Sequence, residues 1–208
     1  MLLYPDQECR RFQVGIDTPS TSLKSSRKFV ISKPLSIKVA IEDFNRTIDF
    51  WIRQLEQYTL AQLCIKPSPT RWSLGQLYRH LIDDARYYIG QIKICVASNQ
   101  HSNEEASSAA KEMLRNNTFP DEVIMGAPSN AHIPQPENKG HLMNDLVSLK
   151  AEMEDAACLI SDSPFCGKTK HPGFHYFSAK EWLQFADMHF RHHLRQKKRI
   201  DNFLKIYP

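Results

Sequence analysis

The run Glu181-Trp-Leu-Gln-Phe-Ala-Asp-Met-His-Phe-Arg-His-His-Leu-Arg-Gln196 decides how this chain is read. His189 and His193 stand about one helical turn apart, so on a helix both imidazoles project from one face. The same register carries Trp182, Phe185, Ala186, Ile200, Phe203 and Leu204, which is the stripe a helix buries. Two imidazoles set into such a stripe need polar partners or a metal, because an unpaired buried polar group costs roughly 1–3 kcal/mol.

Working upstream, Ser178 and Glu181 form a capping box that starts this last helix, with Phe177 and Trp182 as its hydrophobic staple. The preceding stretch Cys166-Gly-Lys-Thr-Lys-His-Pro-Gly-Phe-His-Tyr-Phe177 reads as a loop by its glycines and proline. His171 and His175 share the four-residue spacing, but Pro172-Gly173 between them excludes a helix, and the pair reads as loop structure near the mouth of the site.

Leu142, Leu146, Leu149, Met153, Ala156 and Ile160 give a third predicted helix that stops near Ser161-Asp-Ser-Pro164. Before it, residues 99–140 are polar and proline-containing, with one short helix near Glu104–Asn116, and read as a cover over one end of the fold. A second predicted helix starts at another capping box, Ser73 with Gln76, and runs to about Ser98. Its stripe passes through Leu77, Leu81, Ala85, Tyr88 and Ile92, with His80 on the flank. The first predicted helix carries Ile37, Ile41, Phe44, Ile48, Trp51, Leu55 and Tyr58 and ends before Lys66-Pro-Ser-Pro. Residues 1–34 lack a sustained period and read as a loosely attached extension to a domain over 35–206. Four matched stripes and no strand-like alternation predict an all-α fold, an antiparallel four-helix bundle with a long connection between helices two and three.

Composition narrows the function. The 208 residues, 41% hydrophobic and 24% charged, suit one globular domain. With seven glycines and neither GxGxxG nor GxxxxGK[ST], a nucleotide-binding fold is excluded as a first reading. The net charge of +4 is mild, and the basic run Arg195-Gln-Lys-Lys-Arg199 reads first as a solvated helix end. Five dispersed cysteines without a CxxC pair argue against a disulfide framework and for a reducing compartment. No signal-type apolar segment and no long apolar run occurs, so the expected location is cytoplasmic, away from membranes. Cys64 and Cys95 lack a basic partner at useful spacing and read as core thiols. The aromatics between Phe174 and Phe190 are accounted for by core and capping duties before any nucleic-acid stacking.

His80 with His189 and His193 supplies three imidazoles that could meet between two helices, the ligand count of catalytic zinc-type sites. The competing reading is that all three are satisfied by neighbouring carbonyls or carboxylates. His192 lies well off the shared face, and Asp83, Asp84 and Glu181 are candidate carboxylates for orienting an imidazole N–H.

The run Trp72-Ser-Leu-Gly-Gln-Leu-Tyr-Arg-His80-Leu, followed by His171-Pro-Gly-Phe, Ser178-Ala-Lys-Glu-Trp182-Leu and His189-Phe-Arg-His-His193-Leu-Arg-Gln196, resembles the DinB/YfiT-like metal-binding four-helix bundles over roughly residues 35–206. The resemblance implies a divalent metal, zinc or nickel, held by His80, His189 and His193. It also implies activity as an S-transferase using a low-molecular-weight thiol, or as a hydrolase, on a small-molecule substrate, and a homodimer by analogy. The chain departs from the family pattern in its long second connection, its N-terminal extension and Gln76 where a glutamate is frequent. A non-enzymatic, stress-associated metal-binding or interaction module, docking an acidic partner through Arg195–Arg199, is the alternative expectation.

Overall fold

The computed structural model describes residues 36–120 and 132–205, and the extension expected over 1–34 lies outside them. Helix α1 spans Ile37–Glu56, capped by Ser36, whose hydroxyl accepts from the Val39 N–H, and it buries Ala40, Phe44, Ile48, Trp51 and Leu55. The predicted first helix does not continue unbroken to Lys66. Thr59 and Gln62 form a capping box that opens a separate short helix α2, Leu60–Cys64, because the cap competes with the helix for the same backbone groups.

Helix α3, Leu74–Cys95, starts at the expected box: the Ser73 hydroxyl accepts from Gln76 N–H, and the Gln76 side chain accepts from Ser73 N–H at 3.1 Å. Helix α4 covers Ser108–Asn116 inside the long connection, and α5 covers Lys139–Asp162 behind an Asn138 cap. Helix α6, Ala179–Leu204, begins at the Ser178–Glu181 box, and the predicted staple is made, with the Phe177 and Trp182 rings 5.1 Å apart.

The stretch expected to be a loop is instead an antiparallel hairpin, β1 Lys168–His171 and β2 His175–Ser178. Its register pairs Lys168 with Ser178 and His171 with His175, so the Pro172-Gly173 turn lies between the two histidines. The strands are too short to show alternation; partners distant in sequence hold them. Lys168 N–H donates to the Gln100 carbonyl at 2.9 Å, Ser107 N–H to the Phe174 carbonyl at 3.0 Å, and Trp182 Nε1–H to Thr169 Oγ1 at 2.7 Å.

The described chain is mostly helical. α3 packs against α5 and α6, and α1 packs against the same two helices, with the core between them; α2 rests on α3 and the hairpin on α3 and α6. The last part of the connection, residues 133–136, is pinned to the start of α3. Gln76 Nε2 donates to the Ile133 carbonyl, Ser73 Oγ to Gln135 Oε1 at 2.7 Å, and Gln135 Nε2 to the Cys64 carbonyl at 3.2 Å. Gly75 is required here, since a Cβ would stand 2.9 Å from the Leu63 carbonyl oxygen and nearer still to the Pro136 ring. Among the described residues, no helix is long and apolar enough to cross a membrane.

Candidate metal centre

The caps of α3 and α6 fix where each helix begins, and the apolar stripe of each sets the face it presents to the other. His80 sits on the buried face of α3, and His189 and His193 on that of α6, with exposures of 5%, 7% and 9%. His193 Nε2 lies 3.1 Å from His80 Nε2 and 3.0 Å from His189 Nε2. The three rings stand nearly perpendicular to one another, at interplanar angles of 78°, 81° and 85°. One ligand atom from each lies within 4.8 Å of the others, so this group could hold a metal ion.

The electrostatics favour neutral rings. Burial lowers His80 from 6.5 to about 4 and His193 to about 3, and holds His189 well below the usual histidine value, with neighbouring imidazoles adding to each shift. The Gln196 side-chain oxygen stands 2.9 Å from His193 Nδ1, which places the proton there and leaves Nε2 as a lone pair. Nitrogen ligands at about 2.0–2.1 Å from a tetrahedral ion are about 3.3–3.4 Å apart, so an ion fits with an opening of a few tenths of an ångström. Nitrogen lone pairs this close repel one another, and a cation between them converts that repulsion into attraction. The residues present therefore fit a divalent ion.

The surroundings are aromatic. Trp72, just before the Ser73 cap of α3, lies 4.9 Å from the His80 ring; Tyr88, Phe119 and Phe185 stand 5.8, 6.4 and 6.3 Å from that of His189. His189 Nδ1 is buried without a hydrogen-bond partner, unlike the outward nitrogen of His193. His171 does not join the three. It stacks on Trp182 at 5.3 Å, and its Nδ1 accepts from Gly173 N–H at 3.1 Å. His175 is exposed, at the left-handed φ of 66° that closes the turn. His192 is half-buried against Phe119 at 4.8 Å.

Of the three candidate carboxylates, Glu181 is absorbed by the α6 cap, and Asp83 is exposed in a polar pocket with Arg79 and Arg86. Asp84 alone of the three faces the histidines, and burial raises its carboxyl to about 6. Sequence reasoning missed the contributions of Tyr88 and Phe119. The four-residue spacing of Asp84 and Tyr88 on one helix was the available signal for the first; Phe119 gave none, since only the chain's path through the long connection brings it there.

A helical fold in which two separately capped helices turn three neutral histidines onto one point defines a class of helical proteins with a three-histidine site. Within that class the family follows directly: the DinB superfamily model matches residues 43–196, and the chain belongs to the DinB superfamily. No curated protein matches it in sequence.

Proposed function

We propose that this protein is a divalent-metal-dependent enzyme of the DinB class, with His80, His189 and His193 as ligands and zinc or nickel as the metal. The observation that carries this reading is the convergence of three buried, neutral Nε2 atoms, at 3.0 and 3.1 Å, from two helices. Three protein ligands leave a position for a further group, which closed structural sites do not. A divalent ion so held lowers the pKa of a thiol or water that it binds, which is the chemistry an S-transferase or a metal-dependent hydrolase requires.

The chain's own residues hold the imidazoles neutral by burial, fix the His193 proton through Gln196, and surround the site with Trp72, Tyr88, Phe119 and Phe185, which limit water. A small-molecule substrate and a low-molecular-weight thiol suit a site of this aromatic character. We read α1, α3, α5 and α6 as the antiparallel four-helix bundle of the family; the packing of α1 and of α3 on the same two helices supports it. The non-enzymatic alternative loses support in one respect: Lys197, the centre of the basic run, is 3% exposed and cannot contribute to a docking face.

The test is metal analysis of protein purified without an affinity tag or added metal, repeated on a His189→Ala/His193→Ala variant. About one equivalent of divalent metal in wild type and almost none in the variant is expected. Equally little metal in both would overturn the reading.

A further inference from the structure

Asp84 lies one helical turn beyond His80 on α3 and faces two of the three imidazoles. Its Oδ1 is 3.6 Å from His80 Nδ1, on the side of that ring facing away from the convergence point. Its Oδ2 is 3.7 Å from His189 Nε2, on the side facing the convergence point. The hydroxyl of Tyr88, a residue only 5% exposed, donates to Oδ2 at 3.3 Å and sets the orientation of the carboxylate. With the imidazoles neutral, neither histidine contact is an ion pair, and 3.6 Å is beyond a hydrogen bond. A small rotation of the carboxylate brings Oδ1 within reach of the His80 Nδ1 proton.

Resting on the metal reading above, we propose that Asp84 is the charge-compensating and positioning carboxylate of the metal site, oriented by Tyr88. Three neutral imidazoles around a dication leave two positive charges in a buried place, and a carboxylate alongside offsets one of them. Its other oxygen, 3.6 Å from His80 Nδ1, would close on that proton with the ion bound, fixing the tautomer that presents Nε2 to the ion and raising the basicity of that nitrogen. His193 receives the same service from the neutral Gln196 side chain, so the two outward partners differ in charge. Asp83, its neighbour in sequence, points to a different surface and serves as an internal control.

The experiment is a cobalt(II) titration of wild type, Asp84→Asn, Asp84→Ala, Asp84→Glu, Tyr88→Phe and Asp83→Asn, reading affinity by chelator competition and geometry by the visible absorption of the bound ion. Loss of a carboxylate behind a metal-bound histidine weakens binding about 10- to 100-fold. That loss is expected for Asp84→Asn and Asp84→Ala together with a changed cobalt spectrum. Asp84→Glu is expected to restore part of the affinity, Tyr88→Phe to lose less than Asp84→Asn, and Asp83→Asn to match wild type. Thermal melting of the metal-free variants separates a folding defect from a site defect, because positioning the metal leaves the metal-free melting temperature near that of wild type. Asp84 variants with affinity within about twofold of wild type and an unchanged spectrum would overturn the proposal. Wild type that takes up no cobalt would instead sink the metal reading on which it rests.

Discussion

Helix α6 carries two buried polar stations on one face, a turn apart, and they have opposite chemistry. At the first, His189 and His193 meet His80, and the nitrogens that face one another at 3.0 and 3.1 Å are acceptors once their protons sit on the outward side. At the second, Lys197 presents three donors to three acceptors: Gln54 Oε1 at 2.9 Å, the Tyr58 hydroxyl at 2.9 Å and Asp201 Oδ2 at 2.8 Å. The Tyr58 hydroxyl in turn donates to Asp201 Oδ1 at 2.7 Å, so the cluster is closed. Lys197 is as buried as the histidines, although its partner Asp201 is 23% exposed, and only this second station satisfies itself. Buried polar groups that complete one another serve the fold, whereas buried groups of one kind turned onto a common point are arranged for something the chain does not supply.

The comparison breaks first at Lys197. Replacing it with alanine takes three hydrogen bonds to a charged group from Gln54, Tyr58 and Asp201 and removes the packing of its buried stem, a loss of about 3 kcal/mol. Urea unfolding should show that loss equally with and without divalent metal. The histidine station should behave in the reverse way. Wild type in metal at about one hundred times its dissociation constant gains about 2.7 kcal/mol by linkage, and His189→Ala/His193→Ala gains none, which thermal melting with and without zinc will read.

Acid sharpens the same contrast. The folded histidines titrate far below the unfolded value of 6.5, at about 4 for His80 and about 3 for His193. Between those limits the unfolded chain binds more protons, so the stability of the metal-free protein falls as pH drops below 6.5 and continues to fall until the folded rings protonate. The three histidines of the site contribute about 2 kcal/mol of that fall between about pH 7.5 and about pH 6, and His171, which burial lowers to about 4, adds to it; urea unfolding at the two pH values measures the sum. A His80→Ala variant should show a shallower fall. The smallest effect belongs to the caps. Ser73→Ala should cost about 1 kcal/mol in urea unfolding and leave metal content unchanged, because the cap starts α3 without touching the site.

Local chemistry made much of this legible in the sequence. The Ser73 and Ser178 boxes and the three-four stripes act between residues within a turn or two, so α3, α5 and α6 lie close to where their residues predict them. The three histidines were readable because each occupies or flanks a core stripe. α2 escaped notice because the stripe runs to Tyr58, and Leu60, Leu63 and Ile65 keep the stretch apolar up to Lys66, so nothing but the Thr59–Gln62 cap marks the break. The hairpin escaped because its four-residue strands are too short to show alternation, and the bonds that anchor it run to Gln100, Glu105 and Ser107, far away in sequence.

By itself the sequence determined the helical class, the two capped starts and the placing of His189 and His193 on one face of a helix, with His80 beside the stripe of another, since these depend on spacing along a helix; that the three meet was decided by the packing of α3 on α6. Only the tertiary structure decided that Asp84 rather than Asp83 faces the imidazoles, that Tyr88 holds it, and that Lys197 belongs to the core rather than to a basic surface. Those choices depend on which helix lies opposite, and a difference of one residue, about 100° around a helix, changes the neighbour entirely.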